Sequence, residues 1–452
     1  MIEQVTFGDQ AAARAGDKCL KELTGILNSY DLLKAGTPLT FDGKFCKDLE
    51  TKGILPVLSF DGLTNGTIQF GTTDFFKGDT TETAQAKTTD ATTSAMTRDA
   101  GHDSPKDKLD HDIDSKINNP NVAKEMHKSI KEFEERAQKE HISQAEKDKF
   151  YASLDTLIST DKGKVSLDKR GILAAQCLEH AAHPHDIDQG RYNTCNVTTL
   201  EERGFTKNPS KMAEIVTSVA LTGEWDGIKI DERSLEPRKG AIGCPPDDGV
   251  RSFASQILNV TMVNDITQRR NPPMFYSEEI HLDDPADGGE RLRFKNGTEV
   301  TYKDLGIPHA NPDAPVRKPC VNIDEIQAEG TKLSGDSGFC IANVDKNDKH
   351  AKNVIHIDSP EKLRETIEKL QREGKLPAVL MVDGANPIFN NGRKSDNVDC
   401  HVVSILGYDK EKGVLISNQW GKASDGYHTL DEVYAATILT KPPHKKEDHH
   451  KH

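Results

Sequence analysis

The sequence predicts an α+β fold in which a helical region carrying Cys195 precedes a strand-rich region carrying His401 and Asn418. Three observations predict it. Val122, Met126, Ile130, Phe133 and Ala137 recur at three- and four-residue spacing on a charged background, which is the pattern of an amphipathic helix. Between 376 and 418 the apolar residues instead fall in short runs, LPAVLMVD, HVVSILGY and GVLISN, of strand length. The last two runs flank a short polar turn and read as a β-hairpin.

Taken in order, residues 1–76 hold short apolar runs broken by Gly and Pro and read as a small N-terminal module of unknown role. Residues 77–121 carry almost no large apolar side chains and read as a disordered linker. Residues 122–185 read as a helical segment, helical over 122–159 with a second helix beginning near Leu167. The domain expected to carry the chemistry spans 186–440. Asn208-Pro209 and Gly223 bracket a helix over 209–222, a further helix lies in 250–268, and 271–320 reads as long loops rich in Pro, Gly and Asp. Ser359-Pro360 opens a helix to about Glu373, and strands follow at 376–383, 401–408 and 413–418. Residues 441–452 form a polar, His-rich tail that reads as solvated.

The 452 residues allow two or three domains, yet only 35% are hydrophobic and the mean hydropathy is −0.65, so part of the chain is expected to lie outside any packed core. The formal net charge of −14, without a basic block, argues against nucleic acid or anionic membrane as a partner. No apolar run reaches the roughly 18–20 residues of a membrane span, so no membrane insertion is expected. The first residues lack a basic segment followed by an apolar one, which points to a cytoplasmic protein or one exported without a classical signal peptide. The eight cysteines are scattered without a CxxC pair, which suits neither a dense disulfide framework nor a zinc site.

One cysteine stands in a distinctive setting. A thiol attacks carbonyl carbon as its thiolate, which a helix N-terminus and a nearby imidazole both favour. Cys195 follows a loop-like stretch containing Gly190 and Asn193 and precedes residues able to form a short helix ending at Gly204, so it would sit at that helix's N-terminus. Gln189, six residues earlier, can fold its carboxamide back as a hydrogen-bond donor. In the hairpin, a two-residue turn would set His401 opposite Asn418. A four-residue turn would set Val403 opposite Asn418 and His401 opposite Trp420. In both registers His401 and Asn418 share a sheet face. Asn418 would then accept the ring N–H of His401, and Trp420 would shield that bond from water; Asp383 and Asp399 are alternative orienting groups. Cys400 would point to the opposite, core face. His180, His183 and His185 cluster ahead of the cysteine, but the Ala-Ala and Pro breaks suit a loop better than a metal trio.

The sequence Gln189-x5-Cys195, a distant His401 on a Val-rich strand ending Gly407-Tyr408, and Asn418-x-Trp420-Gly421 resembles the papain-like cysteine peptidases. The resemblance covers about 186–440 and implies a helical subdomain carrying the Cys packed against an antiparallel β-sheet or barrel subdomain carrying the His and Asn. It implies an oxyanion-hole role for Gln189, a reactive pair of Cys195 and His401, and an orienting role for Asn418. The segment from the helix at 360 to the hairpin is also similar to the bacteriocin-processing branch, which generally uses Asp where Asn418 stands. Asn196 takes the place of the aromatic residue that usually follows the papain nucleophile. The 206 residues from Cys195 to His401 exceed the roughly 130–150 of papain-type enzymes, which implies inserted structure within 225–350.

The expectation is therefore a thiol-dependent hydrolase acting on peptide or isopeptide bonds of a protein or peptide substrate, with no metal or other cofactor. A transglutaminase or glutamine deamidase would use the same Cys–His pair, and a papain-like scaffold that only binds a partner remains the non-enzymatic alternative.

Overall fold

The computed structural model describes residues 38–40, 67–69, 104–279, 289–307, 309–389 and 400–438. The chain divides into two units, Met1–Thr97 and Arg98–His452. In the first, β1 (Pro38–Thr40) pairs antiparallel with β2 (Thr67–Gln69). The rest of the 1–76 module, residues 77–103 of the expected linker and the tail at 441–452 lie outside the described residues.

In the second unit, helix begins earlier than the sequence suggests. The linker reading of 77–121 is corrected over its last part, because α1 spans Pro105–Lys116. Ser104 and Asp107 form a capping box at its start, and Leu109 and Ile113 are fully buried. Two apolar residues on one face are enough for docking, though too few to mark the segment by composition. The long helical stretch is two helices, α2 (Pro120–Glu140) and α3 (Gln144–Ser159), with His141 in the left-handed region at the break and Ser143 capping the second. Next come α4 (Leu167–Ala182), α5 (Cys195–Lys207) and α6 (Pro209–Thr222), the last closed by Gly223 at φ 79°. Helix α5 runs past Gly204, which was read as its stop. A Cβ at Gly204 would come within 2.4 Å of Met212 Sδ, so the glycine serves the close approach of α6.

Helix α7 (Phe253–Gln268) is buried on nearly every side and forms the centre of the helical core, while α8 (Ile323–Ser334) packs on α5 and α7. Residues 271–320 are not all loop, which corrects that expectation. After the short pair β3 (Glu224–Trp225) and β4 (Ile228–Lys229), β5 (Met274–Glu278) and β6 (Glu290–Phe294) form an antiparallel pair packed on α7. Its strands carry Glu278, Glu290 and Arg291 inward, so no apolar run announces them.

The main sheet has six strands in the order β12-β11-β10-β9-β7-β8. These are β7 (Cys340–Ala342), β8 (Ile355–His356), β9 (Ala378–Asp383), β10 (Cys400–Asp409), β11 (Gly413–Ser417) and β12 (Gly426–His428). Pairing is antiparallel from β9 to β12 but parallel between β7 and both β8 and β9, so the sheet is mixed rather than purely antiparallel. Both faces are covered. Val402 joins the helical core, whereas Val403 and Ile405 join a second core with Leu363 and Ile367 of α9 (Pro360–Arg372) and Val433 of α10 (Leu430–Ala436). Burial on both faces explains why β10 reads as a continuous apolar run. Among the described residues no helix is long and apolar enough to cross a membrane.

Candidate active site

The hairpin reaches its register by a route that neither sequence alternative described. Asp409 pairs with Gly413 across a turn in which Asp409 Oδ1 accepts the N–H groups of Glu411 and Lys412. The register then shifts between Ile405 and Gly407, and beyond the bulge Ser404 faces Ser417. The next residues are thus in the register expected of a four-residue turn. Gly413 sits at φ 98°, where a Cβ would lie 2.1 Å from the His428 carbonyl oxygen, so only glycine fits.

His401 Nε2 stands 2.7 Å from Asn418 Oδ1, and the Trp420 ring stacks on the imidazole at 4.3 Å between centroids. Since Oδ1 only accepts, the ring proton sits on Nε2 and the lone pair on Nδ1. Burial pushes the His401 pKa down to about 4, against the raising effect of the Asn418 bond, so the ring is neutral at pH 7. Asn418, not Asp383, is its partner: Asp383 Oδ1 accepts the Ala385 N–H, and Asp399 lies outside the described residues. Cys400, expected in the core, is exposed: it is the first residue of β10, paired with Asp383 at the very end of the ladder with β9.

The residue between Asn418 and Trp420 was missed by the sequence reading and is central. Gln419 adopts φ 55°, in the left-handed region that side chains rarely occupy. Its carboxamide is held for that conformation: Nε2 donates to Glu202 Oε2 at 2.9 Å, to Ser404 Oγ at 3.1 Å and to the Ser417 carbonyl at 2.9 Å. The Gln419 backbone carbonyl accepts the Gln189 backbone N–H at 2.9 Å, which ties the loop before Cys195 to the hairpin. Gly421 then lets the 248–249 loop approach, with Asp248 Oδ1 3.3 Å from where a Cβ would stand.

Cys195 is the first residue of α5 and is half-buried. No acidic residue occupies the first turn of this helix, so its N-terminal N–H groups favour negative charge at the thiol without a competing carboxylate. The helix is fixed by three consecutive charged residues, all at most 1% exposed. Glu201 accepts from Ser255 Oγ and Asn259 Nδ2 of α7, both at 2.7 Å. Glu202 accepts from Ser417 Oγ and Gln419 of the hairpin. Arg203 donates to the Lys375 and Pro377 carbonyls ahead of β9 and pairs with Asp336 at 3.0 Å. A Glu-Glu-Arg run ordinarily reads as a solvated face; the available signal is that α5 offers too few apolar residues to cover the buried surface of a central helix.

The Gln189 carboxamide is buried and its Nε2 donates to the Tyr192 carbonyl at 2.8 Å, which fixes which end is nitrogen. Its neighbour Asp188 accepts the Gly249 N–H at 2.7 Å, and burial raises its pKa to about 6. Asp425 accepts the Asn418 N–H at 2.8 Å. Burial, with Glu202, Asp188 and Asp186 nearby, raises it to about 7. The three histidines ahead of the site go to three different glutamates: His180 to Glu201 at 3.2 Å, His183 to Glu132 at 3.1 Å, and His185 to Glu202 at 2.7 Å. They do not converge on one point.

The fold thus brings His401, Asn418 and Trp420 into direct contact. It joins Gln189 to them through the Gln419 backbone, and Cys195 to them through Glu202 and the packing of α5 on β10. Comparison with protein-family models, with curated proteins and with solved structures gave no match.

Proposed function

We propose that the chain is a papain-like, thiol-dependent hydrolase that cleaves peptide or isopeptide bonds through Cys195 and His401. The observation that carries this reading is the buried His401–Asn418 bond beneath the Trp420 ring, which leaves the Nδ1 lone pair as the only basic site on the imidazole. Strand packing alone does not require that set of side chains. The charge-free first turn of α5 supports the same reading from the cysteine's side.

In the proposed cycle His401 Nδ1 takes the Cys195 proton and the sulfur attacks the substrate carbonyl carbon. The Gln189 amide and the Cys195 backbone N–H donate to the oxyanion. Collapse breaks the C–N bond, the leaving amine takes the proton from His401, and a thioester remains on Cys195. Water, deprotonated by His401, then adds to the thioester and releases the acid, returning the thiol. Burial disfavours imidazolium in the resting ring; in the proposed cycle the Cys195 thiolate supplies the counter-charge that makes the ion pair accessible.

The Cys195→Ala variant tests the reading. With mixed peptides followed by mass spectrometry, the wild type is expected to cleave chains with addition of water, and the variant to lose both turnover and iodoacetamide labelling at position 195 while keeping its fold. Undiminished turnover by the variant sinks the proposal. Ammonia release from glutamine-containing peptides without chain cleavage would transfer the same thioester chemistry to a deamidase or transglutaminase.

A further inference from the structure

We propose that the β5–β6 hairpin is a clamp on the nucleophile loop, with Glu290 as the positioning residue for Cys195. The proposal rests on Cys195 being the nucleophile. The loop from Gln189 to Thr194 has no helix or strand of its own, yet it must hold an amide donor and the thiol that follows it at fixed positions. Two consecutive residues of it are held, Asn193 directly by Glu290 of this hairpin and Tyr192 by Arg251, which Glu278 of the hairpin binds.

Asn193, two residues before the cysteine, is held by Glu290. Asn193 Nδ2 donates to Oε2 at 2.6 Å, and its backbone N–H lies 3.3 Å from both carboxylate oxygens. Oε1 in turn accepts the Tyr276 hydroxyl at 3.0 Å. Tyr192 is held by stacking: the Arg251 guanidinium lies 3.5 Å above its ring, and Glu278 binds that guanidinium through both oxygens. The Tyr192 carbonyl then carries the Gln189 amide. One hairpin therefore sets both the cysteine's approach and the orientation of the proposed oxyanion donor.

The choice of residue is informative. Glu290 is 1% exposed and lies near a second buried carboxylate, Glu278, whereas Asn193, which it reaches, is exposed. Burying a carboxylate beside another is costly, and an apolar side chain would serve packing better. Accepting the hydrogen bonds of Asn193 gives the carboxyl group a use that packing does not.

The test uses the full chain and iodoacetamide, with the rate of Cys195 alkylation read by mass spectrometry and exposed Cys400 as internal reference. Glu290→Ala is expected to slow labelling of Cys195 about tenfold or more relative to Cys400, since small displacements of reacting groups carry large rate costs. Glu290→Gln, which keeps an acceptor oxygen for Asn193, is expected to stay within about twofold of wild type by the same argument. Asn193→Ala removes the side-chain half of the same contact from the exposed side and leaves Glu290 in place. It is expected to reproduce the slowed labelling, and it carries the test if Glu290→Ala does not fold. Wild-type labelling rates in Asn193→Ala, or equal slowing by Glu290→Gln and Glu290→Ala, overturn the clamp. A wild-type Cys195 no more reactive than Cys400 overturns the nucleophile reading itself, and the clamp with it.

Discussion

The two halves of the candidate site are held by different kinds of force. His401, Asn418 and Trp420 lie within one continuous segment, 401–420, and meet because a hairpin register and one left-handed residue bring them together. The helix and loop around Cys195 are held by side chains of α7, the β5–β6 pair and β11 and by backbone carbonyls of the turn ahead of β9, through buried charges and amides. Local pairing is enough to orient an imidazole. Fixing the helix that begins at Cys195 needs long-range polar contacts, each of which is costly if left half-made.

That difference makes the helical half the more vulnerable to single substitutions. Arg251 is 3% exposed and bonded to Glu278 through both guanidinium ends, so Arg251→Ala leaves a carboxylate buried without its partner. The expected loss is about 3–5 kcal/mol in chemical denaturation. A loss under about 1 kcal/mol would mean that hydrophobic contacts, not this pair, hold the nucleophile loop.

On the hairpin side the expected effect falls on chemistry rather than on folding. Asn418→Ala removes the acceptor from His401 Nε2 and frees the ring to turn or change tautomer. On the proposed function, kcat should fall on the order of 10²-fold with little change in KM, because the loss is of transition-state geometry. The stability cost should be about 1–3 kcal/mol, that of leaving one buried N–H without its acceptor, and below that of Arg251→Ala. A large loss of stability with kcat preserved would reverse the contrast between the halves.

The same contrast decides what could be read from the sequence. Cys195 at a helix start, His401 with Asn418 on one face, and the elements at 209–222, 360–372 and 400–417 were legible because each follows from local spacing, a cap or a turn. The register of the hairpin was not, since the bulge between Ile405 and Gly407 leaves no mark in an apolar run. Helix α1 was missed because its composition is polar and its apolar face is only Leu109 and Ile113. Glu201, Glu202, Arg203 and Glu290 were missed for a common reason. A charged side chain reads as exposed unless its partners are known, and here the partners that tie these elements together are distant in sequence: Ser255, 54 positions from Glu201, and Asn193, 97 positions from Glu290.

The smallest expected effect is a pH slope, and it opposes two groups joined through Asn418. His401 titrates at about 4 when folded against its ordinary 6.5. Between those values the unfolded chain binds a proton that the folded chain does not, so this group makes stability rise as pH rises from about 4 to 6.5 and lost as pH falls through that window. Asp425 titrates at about 7 against its ordinary 3.8. There the folded chain keeps the proton, so this group's contribution is full below 3.8 and declines until about pH 7. Asp425→Asn keeps an oxygen to accept the Asn418 N–H and abolishes the second slope alone. Urea midpoints at pH 5 and pH 8 should therefore show the variant gaining on wild type as pH rises, by about 1 kcal/mol or less, since the partly exposed carboxyl is screened. Parallel pH curves for the two proteins would show that Asp425 ionises as freely in the folded chain as in the unfolded one, and that the segment from Asn418 to Gln419 is more open to water than its contacts with Asp425 and Glu202 require.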